Sequence, residues 1–153
     1  MSNYNLCPQS INTLLKPFFG LKCSAVWRSI GSNVFFEFGA LNFFKNKSGI
    51  DIPRAEISIG IHADFWKLFS GEKIILDADT VDDDLLASQF NEHIRGVHIP
   101  KFQCDEEGGI ILQFSELLIL KTSGFEDWAC YKNESEITID FIGGEILEVQ
   151  CYK

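Results

Sequence analysis

The sequence predicts an α+β domain: a curved antiparallel β-sheet meander with one long helix packed on it and a short N-terminal helix. Three observations lead to this fold class. Short apolar runs recur between turns rich in Gly, Ser and Asn. One segment alternates with a period of two, and the segment that follows has the apolar spacing of an amphipathic helix. The 153 residues match the usual length of one domain, so we expect a single domain over 1–153.

The first third of the chain is predicted to hold a helix, a hairpin and a loop. A helix is expected over Gln9 to Lys16 because Pro17 interrupts the pattern there. A Gly-Ser-Asn turn separates two strand-like runs at 22–29 and 33–38, which predicts a β-hairpin. The segment 42–53 is polar and contains Asn, Ser and Gly, so it is predicted to be a loop.

The middle of the chain has the clearest strand pattern. Three isoleucines alternate with polar or small residues between 54 and 63. A period of two predicts a strand with one buried face. Two further runs, 65–69 and 73–77, flank a Ser-Gly turn and predict another hairpin.

The long helix is predicted to begin after Thr80 and to end at Gly96. Thr80 has the side chain of an N-cap, and Asp83 stands at the capping-box position. Aspartates crowd the first turn, where the helix dipole favours negative charge. An apolar stripe at i, i+4 and i+8 consists of Leu86, Phe90 and Ile94.

The last third of the chain reads as a series of short strands. Breaks containing Gly, Ser or Asn separate apolar runs, and they lie at 108–109, 123–124, 133–135 and 143–144. Because short strands joined by short turns pair with their neighbours in sequence, this pattern predicts a meander.

Charge is distributed unevenly along the chain. Residues 1–76 hold eight basic and five acidic residues, a net of +3, whereas residues 77–145 hold four basic and sixteen acidic residues, a net of −12. The whole chain carries −9. Direct nucleic-acid binding is therefore not expected, because it requires clustered Lys and Arg. A concentrated negative field instead favours a basic protein partner.

Motifs for catalysis, cofactors or metals are missing from the sequence. The five cysteines form no C-x-x-C pair, and the three histidines form no H-E-x-x-H. Neither G-x-S-x-G nor a glycine-rich phosphate loop occurs. An Asp-rich calcium loop beginning at Asp77 fails, because Asp82 and Ser88 occupy the positions that need glycine and glutamate. We expect no enzymatic activity, no cofactor and no metal.

Two missing sequence signals predict where in the cell the protein is located. Residues 1–10 have no basic and apolar segments of a secretory signal. No apolar run reaches the roughly 18 residues needed to span a membrane. We therefore expect a cytoplasmic protein that has no membrane partner and keeps its cysteines reduced, with Cys104 and Cys130 as small buried side chains.

One stretch resembles a known pattern. Residues 27–39, Trp-Arg-Ser-Ile-Gly-Ser-Asn-Val-Phe-Phe-Glu-Phe-Gly, resemble the W-x-x-x-x-G-S-x-x-x-x-E-F-G opening of a family of small bacterial proteins, with one residue fewer between Trp27 and Gly31. The resemblance continues to about Glu148 and includes Trp66, Trp128 and the Gly143-Gly144 pair. It implies no catalytic residues.

As a small, acidic, single-domain chain, the protein is also similar to the immunity proteins of bacterial toxin systems, notably contact-dependent growth inhibition. The resemblance implies binding and neutralisation of a cognate toxin domain, often a basic nuclease. The residues expected to bind the toxin are Asp77, Asp79, Asp82, Asp83, Asp84, Asp105, Glu106 and Glu107. The alternative is a small-ligand-binding or regulatory module whose many Phe residues line a pocket.

Overall fold

The computed structural model describes residues 3–29, 31–63, 65–106, 109–122, 136–141 and 146–149. The fold is mixed α+β, as predicted. The strands, in chain order, are β1 Asn3–Leu6, β2 Cys23–Arg28, β3 Val34–Phe38, β4 Asn42–Lys45, β5 Asp51–Arg54, β6 Ile57–His62, β7 Lys67–Ser70, β8 Lys73–Asp77, β9 Lys101–Cys104, β10 Ile110–Gln113, β11 Leu118–Lys121, β12 Glu136–Phe141 and β13 Ile146–Val149. A six-stranded sheet has the order β1-β13-β12-β6-β3-β2, and a five-stranded sheet has the order β8-β7-β11-β10-β9.

The meander prediction is wrong. In the six-stranded sheet β3 pairs with β6, β6 pairs with β12, and β1 joins β13 in parallel, so neighbours in space are distant in sequence. Matching apolar faces explain the order, because Phe36, Ile59 and Ile139 lie in one row across three strands and all are buried. Turn residues predict only local hairpins, and long-range pairing depends on burial of these faces.

The core lies between the two sheets. The Phe36 ring of the six-stranded sheet lies 4.9 Å, centroid to centroid, from the ring of Phe114, which follows β10 in the other sheet. Ile11 and Leu15 of the first helix are fully buried in the same cluster. Removing a side chain of this size from water contributes about 1.5–3 kcal/mol.

The prediction of one long helix is also wrong. Helix α1 spans Pro8–Leu15 and continues as a 3₁₀ turn, Lys16–Phe18, while α2 spans Asp83–Gln89 and continues as a π-helical turn, Phe90–Ile94. The two helical segments are therefore of similar length. In the part of the chain that the structure describes, no helix is both long and apolar enough to cross a membrane.

The segment predicted to be a loop at 42–53 is mostly a β-hairpin. Strands β4 and β5 pair antiparallel as a separate two-stranded sheet. The Asn46 side chain closes the turn, since its Oδ1 accepts hydrogen bonds from the backbone N–H groups of Ser48 (2.9 Å) and Ile50 (3.0 Å). The polar turn residues dominated the sequence pattern and obscured the two short strands beside them.

Candidate functional site

The acidic residues predicted to bind a partner begin in the turn after β8. The half-buried Asp77 carboxylate accepts hydrogen bonds from the backbone N–H of Asp79 (2.9 Å) and from both the N–H (2.8 Å) and the hydroxyl (2.9 Å) of Thr80. These bonds hold Thr80 in the turn, so the prediction that Thr80 caps the helix is wrong. Asp77 contributes to the turn's shape and offers only part of its carboxylate to a partner.

Asp82 is the N-cap of α2. Its backbone is extended, and its carboxylate accepts a hydrogen bond from the N–H of Leu85 at 2.7 Å. A side chain in this position satisfies one of the donors left free at the start of a helix. The cap lies two residues later than the predicted one, because Asp77 already binds Thr80.

Four carboxylates at this turn remain exposed to solvent. They form what we call the acidic patch, consisting of Asp79, Asp82, Asp83 and Asp84. Asp83 pairs with Arg28 of β2 at 3.3 Å between Oδ1 and Nε, and its side chain is still 81% exposed. Because the Asp77 turn and the Asp82 cap fix the backbone, the patch is held in place before any partner binds.

The second predicted acidic cluster lies in the turn after β9. Asp105 accepts a hydrogen bond from the N–H of Gly109 at 2.7 Å and so fixes this turn, while Glu106 is exposed. Glu107 lies outside the described residues. As at the first cluster, one carboxylate shapes the backbone and its neighbour faces solvent.

The two acidic clusters lie at the same end of the five-stranded sheet but not side by side. One row across that sheet consists of Asp77, Lys67, Lys121, Ile111 and Gln103. Asp105 follows β9 two residues beyond the end of this row. Four strand spacings of about 4.8 Å place the clusters roughly 19 Å apart, with two lysines between them.

Exposed apolar side chains lie on the β4–β5 hairpin, where the sequence predicted only a loop. Phe43 is 63% exposed, Phe44 is 52% exposed and Ile50, near the turn, is 62% exposed. Large exposed aromatic residues are typical anchors of protein interfaces. The signal that could have found them was the Phe-Phe pair beside Asn42, which the polar neighbours concealed.

Glu37 is a buried carboxylate on the face of the six-stranded sheet that points away from the core. Its two oxygens accept hydrogen bonds from the N–H of Ala55 (3.0 Å), the hydroxyl of Ser58 (2.5 Å) and the indole N–H of Trp27 (3.1 Å). Arg54 approaches with its Nε at 3.7 Å and also pairs with Asp140. Burial raises the pKa of Glu37, and these donors and the Arg54 charge partly oppose that rise.

Other residues of the stretch 27–39 also have structural roles. Gly39 has a φ of +102°, and a Cβ there would lie 2.2 Å from the Glu56 carboxylate, which accepts the N–H of Ala40. The backbone carbonyl of Ser32 accepts the indole N–H of Trp66 at 2.9 Å. Glu37 and Gly39 therefore both have structural roles in this stretch.

The described cysteines and histidines do not assemble into a metal centre. Within the described ranges no group of three or more Cys, His, Asp or Glu side chains could hold a metal ion. Burial raises the pKa of the Cys23 thiol to about 12, which disfavours the thiolate needed for nucleophilic chemistry. Cys104, the last residue of β9, is exposed and disulfide-bonded, so the expectation that it is buried and reduced is wrong. Cys130 lies outside the described residues.

Comparison of the chain with protein-family models, curated proteins and solved structures gives no significant match. The candidate surfaces therefore rest on geometry, and they are the acidic patch and the β4–β5 hairpin. Both adjoin β2, since α2 and β5 each contact this strand.

Proposed function

We propose that this chain is an immunity-type protein of the bacterial cytoplasm, which neutralises a basic toxin domain by binding it and performs no catalysis. The observation that carries the proposal is the acidic patch, in which four exposed carboxylates lie within six residues. Capping bonds hold their backbone in place. A fixed cluster of like charges attracts a partner of opposite charge and accelerates encounter with it.

Both acidic clusters fit within one interface of ordinary size. A standard interface covers about 800 Å² on each partner, which corresponds to a patch roughly 30 Å across. The spacing of roughly 19 Å between the clusters is smaller than that width. Asp105 and Glu106 can therefore contact the same basic domain as the acidic patch.

Charge alone gives a fast association rate more readily than tight binding, so the proposal includes apolar anchors. The β4–β5 hairpin provides Phe43, Phe44 and Ile50, which all expose more than half of their surface. In this proposal the acidic patch guides the partner in, and the hairpin buries these three side chains against it.

The test begins with capture of a basic partner at low salt from cells that produce this chain, followed by expression of that partner in a host cell. Growth should stop when the partner is expressed alone and should recover when this chain is co-expressed. Asp79→Asn combined with Asp84→Asn should slow association at least tenfold and flatten its salt dependence, because two exposed charges are lost while the Asp82 cap remains.

The control pair is Glu72→Gln with Glu116→Gln, which removes the same charge. Both residues are exposed in turns at the opposite end of the five-stranded sheet, where the N–H of Gly71 bonds the carbonyl of Leu117. This pair should associate within twofold of the wild-type rate. If the two pairs slow association equally, the acidic patch acts only through the net charge of the protein. A captured partner that does not inhibit growth would contradict the immunity function.

The alternative of a module with an aromatic-lined pocket has less support in the described residues. Phe36, Phe38 and Phe102 are fully buried in the core cluster. These rings fill the interior, which leaves them unavailable to line a ligand cavity.

A further inference from the structure

An open groove runs between helix α1 and strand β9. Its volume is about 680 Å³. Small-molecule sites usually measure about 300–1,000 Å³, so the groove has the size of a ligand site. One wall consists of Asn12, Thr13, Lys16 and Phe19, and the other consists of His98, Ile99, Lys101 and Gln113. Such a combination of distant segments has no signature in the sequence.

The walls of the groove are fixed to each other by Asn12. Its side-chain Nδ2 donates to the carbonyl of Phe102 at 2.9 Å, and its Oδ1 accepts the N–H of Phe102 at 2.8 Å. These two bonds join α1 to β9, the edge strand of the five-stranded sheet. Side chains on both walls are therefore positioned before a ligand arrives, which lowers the entropic cost of binding.

The groove is cationic although the protein as a whole is acidic. Lys16, His98 and Lys101 line it, and no carboxylate is among the described residues of its lining. In the described part of the chain neither lysine has an ion-pair partner. The chain contains no Asp or Glu before Glu37, and Lys22, which is exposed, faces His98 across an isolated β-bridge. The local field therefore favours a negatively charged ligand.

An apolar surface lies beside these charges. Phe19, which is 41% exposed, and Ile99 contribute to the lining, and Gln113 pairs across the strands with Lys101. Phe19 offers a ring for stacking, and the Gln113 amide can donate to an anionic oxygen. A ligand that satisfies both parts of the groove has an anionic head and a small apolar body.

We propose that this groove binds a small organic anion, with its phosphate or carboxylate between Lys16 and Lys101 and its apolar body against Phe19. The site goes beyond the proposed protein-binding function. The groove is positively charged, whereas the acidic patch is negatively charged. The groove lies near Lys22, which precedes β2, whereas the acidic patch contacts Arg28 at the end of β2.

Phenyl phosphate and phenylacetate are the probes for the test, titrated into the full chain and followed by calorimetry and by amide NMR shifts. Inorganic phosphate and phenol supply the charge alone and the ring alone. At least one of the two aromatic anions should bind saturably and more tightly than either partial probe. The stronger of the two identifies the preferred head group.

Lys16→Gln combined with Lys101→Gln should weaken that binding at least tenfold. Lys47→Gln with Lys73→Gln removes the same charge from exposed positions elsewhere and should change it by less than twofold. Phe19→Ala should weaken the aromatic anion several-fold and leave inorganic phosphate unaffected.

Absence of saturable binding by both aromatic anions at millimolar concentration would overturn the proposal, as would equal weakening by the two lysine pairs. Thermal unfolding of each variant confirms that it is folded. The Asp79→Asn and Asp84→Asn variant should bind the probe as the wild type does, so failure of the groove and failure of the acidic patch are observed separately.

Discussion

Two sets of carboxylates in this chain differ in what surrounds them. Glu37 is wholly buried and accepts three hydrogen bonds, with Arg54 beside it. The carboxylates of the acidic patch are exposed, and Asp84 among them has no hydrogen bond or ion pair in the described part of the chain. Burial decides the role, since an enclosed carboxylate needs partners to offset lost hydration, whereas an exposed one remains available for binding.

Asp82 lies between these extremes, because it is exposed and also caps a helix. A count of acidic residues does not distinguish buried, capping and exposed carboxylates. Their separate effects on stability and on binding are measurable by substitution.

Replacing Glu37 by Leu should lower the free energy of unfolding by about 3–5 kcal/mol, the range measured when one partner of a buried ion pair is removed. The substitution leaves the N–H of Ala55 and the indole N–H of Trp27 without their acceptor and leaves Arg54 with Asp140 alone. Urea denaturation measures the loss.

Glu37→Gln keeps the shape and one acceptor and should cost less, about 1–3 kcal/mol, so it reports the effect if the Leu variant does not fold. Glu116→Leu is the exposed control and should stay within about 0.5 kcal/mol of the wild type. A Glu37→Leu variant as stable as this control would mean that the buried carboxylate does not hold its strands together.

The sequence predicted local elements of the fold but not the burial of Glu37. Helix α1 lies within one residue of its predicted start and end, because Pro17 and the apolar spacing are local signals. The isoleucines of β6 are buried as predicted, but Ser58 and Gly60 on the other face are buried as well, so the expectation of one buried face is wrong. Burial of Glu37 was not predicted, because its donors come from Trp27, Ala55 and Ser58, which only the folded sheet brings together.

The acidic patch and the groove between α1 and β9 differ in how far the sequence predicts them. The acidic patch is contiguous in sequence, so its residues were named from the sequence, whereas the role of Asp77 in the turn and the capping role of Asp82 were not predicted. The groove joins Lys16 to Lys101 across 85 positions of sequence. No periodicity or motif spans that distance, because the packing of α1 on β9 creates the site.

Replacing Asp82 by Ala should lower stability by about 1 kcal/mol, because the N–H of Leu85 loses its acceptor at the start of α2. Asp82→Asn is the matched variant, since Asn caps a helix about as well as Asp but carries no charge. We expect the Asn variant to be as stable as the wild type and to associate more slowly with a basic partner. Equal destabilisation by both substitutions would show that charge, and not the capping bond, stabilises this turn.

The smallest expected effect is a pH dependence of stability that comes from Glu37. Burial raises its pKa in the folded protein, while the donors around the carboxylate limit the rise. The folded state therefore binds this proton more tightly than the unfolded state does. The resulting stabilisation is fully present below the unfolded pKa, near 4.5, and is lost as the pH rises through the raised folded pKa.

The measurement is urea denaturation of the wild type and of Glu37→Gln at a series of pH values from 4 to 7. Subtracting the two curves cancels the groups that titrate in both proteins. The difference should favour the wild type increasingly as the pH falls toward 4.5. A difference that changes in the opposite direction would mean that the three donors and Arg54 outweigh burial, so that the folded protein favours the ionised Glu37 carboxylate.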